Sequence, residues 1–202
     1  MKLILTRHGL TIENTEGRVQ GHNPGTLHEK GIEQAQKLGT RFKDDKFNII
    51  YSSDLKRASD TAYQIHLHHP EVPIVFTEKL RERNFGLLTG NTKEEFGFDK
   101  YQPFPAIWID NPEILKKYKI ETKTDMLKRA KEFIDEVYEK HKNDTVVLVS
   151  HGSFSKALTA VIIGKDYSEV EMLSNTGVSI FEIDEDKNHK IILHNCTKHL
   201  DM

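Results

Sequence analysis

Val146-Val147-Leu148-Val149 is an unbroken apolar run of strand length that stops at Ser150-His151-Gly152. A strand without polar alternation has to be covered on both faces. That situation arises at the centre of a parallel sheet, whose crossovers place helices above and below it. The rest of the chain fits this demand, because strand-like and helix-like segments alternate along it in the manner of an α/β fold. Residues 2–6 form a first short strand, followed by a polar, glycine-containing loop over 7–26. A helix over 28–43 carries Ile32, Ala35, Leu38 and Phe42 on one face. A second strand at 48–51 runs into Ser52-Ser53-Asp54, where Ser53 or Asp54 is placed to cap a helix bearing Leu55, Ala58, Ala62 and Ile65. Residues 72–76 read as a third strand.

The clearest helix spans 124–142, with Met126, Ala130, Phe133, Ile134, Val137 and Tyr138 as its apolar stripe. Thr122 and Asp125 before it resemble a capping box in which Asp replaces the usual Glu. The strand at 145–149 passes into a helix at 154–163. The segments 178–183 and 191–196 then form a closing pair of strands around a polar turn. Residues 84–121 break every such pattern, since Gly86, Gly90, Gly97, Pro103, Pro105 and Pro112 interrupt them and leave only a local helix at 112–118. Connections of this length are commonly lids or binding loops.

A chain of 202 residues suits one domain, 1–202, with a variable lid or substrate region at about 91–120. Hydrophobic and charged fractions of 37% and 30% are those of an ordinary globular protein. With 29 Lys+Arg against 31 Asp+Glu the net charge is −2, which gives no global attraction to nucleic acid or to an acidic membrane. Any anion must be bound in a local pocket. The single cysteine, Cys196, cannot form an internal disulfide. The apolar start at 1–5 is too short for a signal peptide, and no stretch approaches the ~20 apolar residues of a membrane span. A cytoplasmic protein is the expectation.

Two strand ends carry one signature, an apolar strand followed by histidine and glycine: Thr6-Arg7-His8-Gly9 and Val149-Ser150-His151-Gly152. Ligands of open parallel sheets bind outside the carboxyl ends of the strands, so adjacent central strands would present His8 and His151 into one crevice. Gly9 and Gly152 would let a ligand approach the backbone closely. A third strand end leads to Arg57 in the first turn of a helix, where unpaired N–H groups already favour an anion. Arg7 and Arg57 could clamp a phosphate through forked hydrogen bonds. Glu82, set between Arg81 and Arg83, is either an ion-pair partner or a proton donor in a closed pocket. Taken singly, each of these side chains reads as an ordinary polar residue.

In order, these blocks resemble the histidine phosphatase superfamily, the group of phosphoglycerate mutases and related phosphatases. The matching blocks are Arg7-His8-Gly9 with Thr11 and Asn14, Arg18-Val19-Gln20-Gly21, and Leu27-His28-Glu29-Lys30-Gly31 with Gln34-Ala35. They continue with Tyr51-Ser52-Ser53-Asp54-Leu55-Lys56-Arg57-Ala58 and Thr61-Ala62, Leu80-Arg81-Glu82 with Phe85-Gly86, Glu121-Thr122, and Val149-Ser150-His151-Gly152. The resemblance implies an α/β three-layer sandwich with a mixed, mainly parallel central sheet. It implies His8 as a nucleophile that becomes phosphohistidine, and Glu82 as the proton donor. Arg7, Arg57 and His151 match the cationic ring around the phosphoryl group, and Asn14 a further phosphate contact. Gln20 and Gly21 match the loop bordering the substrate, with Gly152 beside it. No metal and no cofactor are implied, and the expected ligand is a small phosphorylated metabolite.

Leu10 and Thr89 stand where relatives commonly carry Glu or Gln, which bears on substrate preference. Phosphatase is favoured over mutase, because the mutases use an adjacent arginine pair after the Glu82 block. Residues 91–120 hold Lys93, Lys100, Lys116, Lys117 and Lys119 but no arginine. A catalytically silent binding module is a rival of another class, countered by the intact set of His8, Arg7, Arg57, Glu82 and His151. A metal enzyme is a third, given 11 histidines with His66, His68 and His69 clustered, though without carboxylate or cysteine partners at ligand spacing. An edge strand near the C-terminus could support a homodimer.

Overall fold

A computed structural model describes residues 1–99, 102 and 104–201. Six strands form one sheet: β1 (Lys2–Arg7), β2 (Ile49–Ser53), β3 (Ile74–Thr77), β4 (Thr145–Ser150), β5 (Val178–Ile183) and β6 (His189–Cys196). Their order is β3-β2-β4-β1-β5-β6. β3, β2, β4 and β1 are mutually parallel, β5 runs antiparallel to β1, and β6 antiparallel to β5. The mixed, mainly parallel sheet expected from the sequence is present, and β6 is the edge strand foreseen near the C-terminus.

Among the described residues, seven α-helices accompany it: α1 (Ile12–Thr15), α2 (Glu29–Phe42), α3 (Lys56–His66), α4 (Ala106–Ile109), α5 (Pro112–Tyr118), α6 (Lys123–Lys140) and α7 (Gly152–Ile163). Because side chains alternate across a strand, the apolar centre splits in two. Leu3, Leu5, Val146 and Leu148 pack on α6 and α7 through Met126, Ala130, Phe133, Phe154 and Leu158. Ile4, Val147 and Val149 face the other way onto α2 and α3, through Leu38, Phe42, Ala58, Ala62 and Ile65. Each such side chain is worth roughly 1.5–3 kcal/mol on burial. Two buried faces explain why the centre of β4, 146–149, is apolar throughout.

Several local expectations are corrected. Ile32 is 43% exposed, and Gly31 takes its place on the buried side of α2. Neither Ser53 nor Asp54 caps α3: the N-cap is Leu55, which makes no side-chain cap bond. Ser53 Oγ instead accepts the Leu55 N–H, while Asp54 is drawn to Arg81 as a two-point ion pair. Only half of the Thr122–Asp125 box forms. Thr122 Oγ1 accepts the Asp125 N–H at 3.0 Å, but the short Asp side chain takes the Thr122 hydroxyl, not the cap N–H. The loop at 7–26 contains α1, closed by a capping box between Thr11 and Asn14. β3 begins two residues later than expected, after Pro73, and β2 extends two residues further, to Ser53.

The 84–121 segment has a core of its own. Val19, Leu88, Ile109 and Ile120 are buried together, with Phe85, Phe96, Phe104, Trp108 and Tyr118 packed around them. Its two ends meet, Glu121 N donating to Asn84 O at 2.8 Å and Asn84 N to Glu121 Oε2 at 2.9 Å. The segment also docks on the 17–20 loop through Val19 N to Asn91 O and Gly90 N to Val19 O. Of the lysines noted there, Lys93 donates Nζ to Gln102 O and Lys116 and Lys117 lie on α5; Lys100, like Pro103, lies outside the described residues. Among the described residues, no helix is long and apolar enough to cross a membrane.

Candidate active site

β1 and β4 are adjacent, with Arg7 opposite Ser150, so the residues that follow each strand emerge side by side. The rings of His8 and His151 lie 5.2 Å apart at 59°. Both are buried. His8 Nδ1 donates to Gly9 O at 2.7 Å, which fixes the tautomer and leaves Nε2 without a proton. The peptide carrying this ring is itself tied down. His8 N donates to Ser150 O, Asn175 Nδ2 donates to His8 O at 2.9 Å, and Gly9 N donates to Thr61 Oγ1 at 3.1 Å. Thr61 passes its own hydroxyl proton to Arg57 O, linking the histidine turn to the start of α3.

Arg57 is almost completely buried, although it carries a charge. Its guanidinium donates to Gly21 O at 3.0 Å, Asn23 O at 2.5 Å and Pro24 O at 3.2 Å, and its Nε reaches His8 Nε2 at 3.3 Å. Burial lowers its pKa to about 10, so it stays cationic at neutral pH. Arg7 donates Nη1 to Leu173 O at 2.9 Å, while its buried Nε has no partner. Among the described residues, neither ring nitrogen of His151 has a hydrogen-bond partner, nor does the buried Gln20 Oε1. Burial, and then the charges of Arg57 and Arg7, hold the His8 pKa well below the usual histidine value. His151 is displaced the same way by burial first, then by Arg57 and its neighbours. Both imidazoles are therefore neutral at neutral pH. Buried polar atoms without protein partners are costly, and the donors among them, Arg7 Nε and the His151 ring N–H, stand with Arg57 as a set suited to an anion.

Glu82 lies on the N-terminus of α7. Its carboxyl oxygens accept the amides of Arg83 (2.8 Å), Phe154 (3.0 Å) and Ser153 (3.1 Å). Gly152 opens that helix, and a Cβ there would stand 3.0 Å from Met172 Sδ and 3.4 Å from Arg7 Cζ. Gln20 and Gly21 border the Arg57 guanidinium, Gly21 through its carbonyl. Thr89 Oγ1 lies against Gly21, and Leu10 is held through its backbone by Gln34 Oε1 and His28 N. Asn14 is placed differently. Its Oδ1 accepts Thr11 N at 3.2 Å in the α1 capping box, and among the described residues it makes no hydrogen bond to the histidine–arginine group.

Some contributors carry no sequence motif. Asn175 and Thr176 hold the backbone of His8 and Arg7, Thr176 N donating to Arg7 O at 3.0 Å from a left-handed φ of 53°. His22 Nε2 donates to Glu82 O at 2.9 Å, and Arg129 grips the chain on either side of Glu82. The polar break at 174–177 before β5 was the only local signal for the first two. Away from the site, His69 of the histidine cluster is spent on Phe42 O at 2.7 Å beneath Phe47.

The sequence matches the family model described as the histidine phosphatase superfamily (branch 1) over residues 3–197. It is 31% identical to phosphoserine phosphatase 1 of Hydrogenobacter thermophilus, over 99% of this chain and 94% of that protein. It is 30% identical to the metal-independent phosphoserine phosphatase of Arabidopsis thaliana, over 92% of this chain and 78% of that one. The structure superimposes on Bacillus stearothermophilus YhfR with a TM-score of 0.86 at 30% identity, covering 98% of each chain.

Proposed function

The chain belongs to the histidine phosphatase superfamily, and from that premise we propose that it is a metal-independent phosphomonoesterase working through a phosphohistidine on His8. The observation that carries this reading is the state of His8. Nδ1–H is held by Gly9 O, and Nε2 presents its lone pair beside buried arginine and histidine groups with polar atoms that no protein group engages. Nε2 attacks phosphorus, and the P–O bond to the leaving alcohol breaks as the N–P bond forms. Glu82, entering this step as the carboxylic acid, gives its proton to the departing oxygen. Arg7, Arg57 and His151 balance the charge on the equatorial oxygens, the work a metal does elsewhere. Glu82, now a carboxylate, takes a proton from water, whose oxygen attacks phosphorus and displaces His8 as inorganic phosphate forms.

Gln20 and Gly21 border the phosphate end, Asn14 supplies a further phosphate contact when α1 adjusts, and Gly152 leaves space beside Arg7. The 91–120 region covers the leaving group. The lack of arginine in that region favours hydrolysis over mutase transfer. The named relatives point to a small metabolite, a phosphate ester of the phosphoserine kind. The test is to incubate the protein with labelled O-phospho-L-serine or a labelled aryl phosphate, then quench in acid or base. The expected adduct is acid-labile, base-stable, and lost in His8→Ala. A label on any other residue overturns the reading.

A further inference from the structure

Arg129 has no place in the chemistry above, yet its guanidinium is fully engaged beside Glu82. Nε donates to Glu121 Oε1 at 3.1 Å, and Nη2 lies 3.0 Å from both Glu121 oxygens. Nη1 donates to Lys79 O at 3.0 Å and to Arg81 O at 2.8 Å, and Nη2 also reaches Glu82 O at 3.4 Å. These contacts occupy the five N–H groups an arginine offers. The same guanidinium stacks 3.9 Å above the ring of Phe154, whose amide holds Glu82 Oε1. Glu121 completes the frame by accepting Asn84 N at 2.9 Å and, through its backbone carbonyl, Arg83 Nε at 2.8 Å.

Arg129 therefore touches both halves of the cradle that aims Glu82: the 79–84 chain that carries the residue and the helix residue that binds its carboxylate. We propose that Arg129, with Glu121, is the positioning pair for the proton donor, setting where the Glu82 carboxyl stands relative to the leaving oxygen. The proposal rests on the reading of Glu82 as that donor. Lysine could not replace arginine here. A single ammonium cannot span Glu121 and three carbonyls, and it has no plane to stack on Phe154. Misplacing a reacting group by about 1 Å costs on the order of 10² in rate.

A general weakening of the fold would slow all substrates alike, whereas loss of aim at Glu82 slows those whose leaving group needs a proton. The experiment compares single-turnover phosphorylation of His8 by O-phospho-L-serine and by p-nitrophenyl phosphate in wild type, Arg129→Lys, Glu121→Gln and Glu82→Gln. In Arg129→Lys the alkyl-to-aryl rate ratio should fall by on the order of 10², and in Glu121→Gln by less. Glu121→Gln keeps an acceptor for Asn84 and serves as the folded variant if Arg129→Lys does not fold. A normal ratio in the folded Arg129 and Glu121 variants, beside a lowered ratio in Glu82→Gln, overturns this inference alone. A normal ratio in Glu82→Gln removes the donor reading and this inference together.

Discussion

Arg57 Nε lies 3.3 Å from His8 Nε2, on the lone pair to which the proposed reaction assigns the attack on phosphorus. The rest of that guanidinium is fastened to the carbonyls of Gly21, Asn23 and Pro24. The arginine is thus held as part of the wall, and the weak contact to His8 is the one that yields. In the proposed reaction a phosphoryl group takes the lone pair and Arg57 Nε–H passes to a phosphoryl oxygen. The three carbonyl contacts hold the guanidinium in place meanwhile, so one donor exchanges its acceptor while the rest of the group stays fixed.

Arg57→Lys keeps the charge but loses the fork, the three carbonyl contacts and the Nε donor. Rapid-quench phosphorylation should slow by on the order of 10²–10³, and the 20–25 loop should become more sensitive to limited proteolysis. A rate near wild type would mean that charge alone suffices.

Binding of a phosphate mimic should be accompanied by proton uptake. Burial and the nearby cations hold the His151 pKa well below its ordinary value. A dianion beside Arg7 and Arg57 opposes those cations and raises the His151 pKa, so the complex gains a proton near neutral pH. Calorimetric titration with tungstate in buffers of differing ionisation enthalpy reads this directly. Enthalpies independent of the buffer would show that His151 stays neutral.

Stability without ligand should fall as pH drops through the histidine range. His8 and His151 have folded pKa values well below 6.5, and His199, buried against Arg41, is lowered to about 4. Below pH ~6.5 the unfolded chain takes protons that the folded chain refuses, so stability rises with pH there and levels off above it. Melting temperatures from pH 5.5 to 7.5 should show the slope. His199→Gln, which keeps an N–H for Thr176 but cannot titrate, should lessen it; an unchanged slope would exclude His199 as a contributor.

Hydrolysis should survive EDTA and be inhibited by vanadate, because every positive charge assigned to the phosphoryl group comes from a side chain. Loss of activity in EDTA that returns with added divalent metal would contradict the assignment.

The main helices were readable because their apolar period serves one buried face, as in the six-residue stripe of α6, and β4 because an unbroken apolar run needs cover on both faces. His8, His151 and Arg57 were readable because they follow strands whose ends must converge. What the sequence could not supply were contacts between distant segments. Asn175, Thr176 and Arg129 act on the catalytic turns by bonding backbone carbonyls, which leave no trace in side-chain type. Ile32 misled for a related reason. A glycine one position earlier meets the catalytic loop backbone to backbone, and no hydrophobic pattern records such a contact.

That glycine gives a prediction whose sign opposes helix propensity. Alanine in place of glycine inside a helix ordinarily gains ~0.8–1 kcal/mol. At Gly31, however, a Cβ would stand 1.9 Å from Leu10 O and 2.8 Å from Leu10 C, and this backbone is pinned by Gln34 and His28. Gly9 packs on the same glycine, its own Cβ position 2.5 Å from Gly31 O, and Gly9 O is the acceptor that sets the His8 tautomer. Gly31→Ala must therefore push the turn that aims the nucleophile, and should cost about 1–3 kcal/mol of stability together with phosphorylation rate. Gly39→Ala is the matched control. On the same helix it would clash with Gln64 O at 2.2 Å, between α2 and α3 and away from His8. It should destabilise comparably while the folded protein still phosphorylates His8. Denaturant midpoints with single-turnover rates for both variants separate the effects, and equal rate losses would mean that the clash at Gly31 acts through the fold and not through the His8 turn.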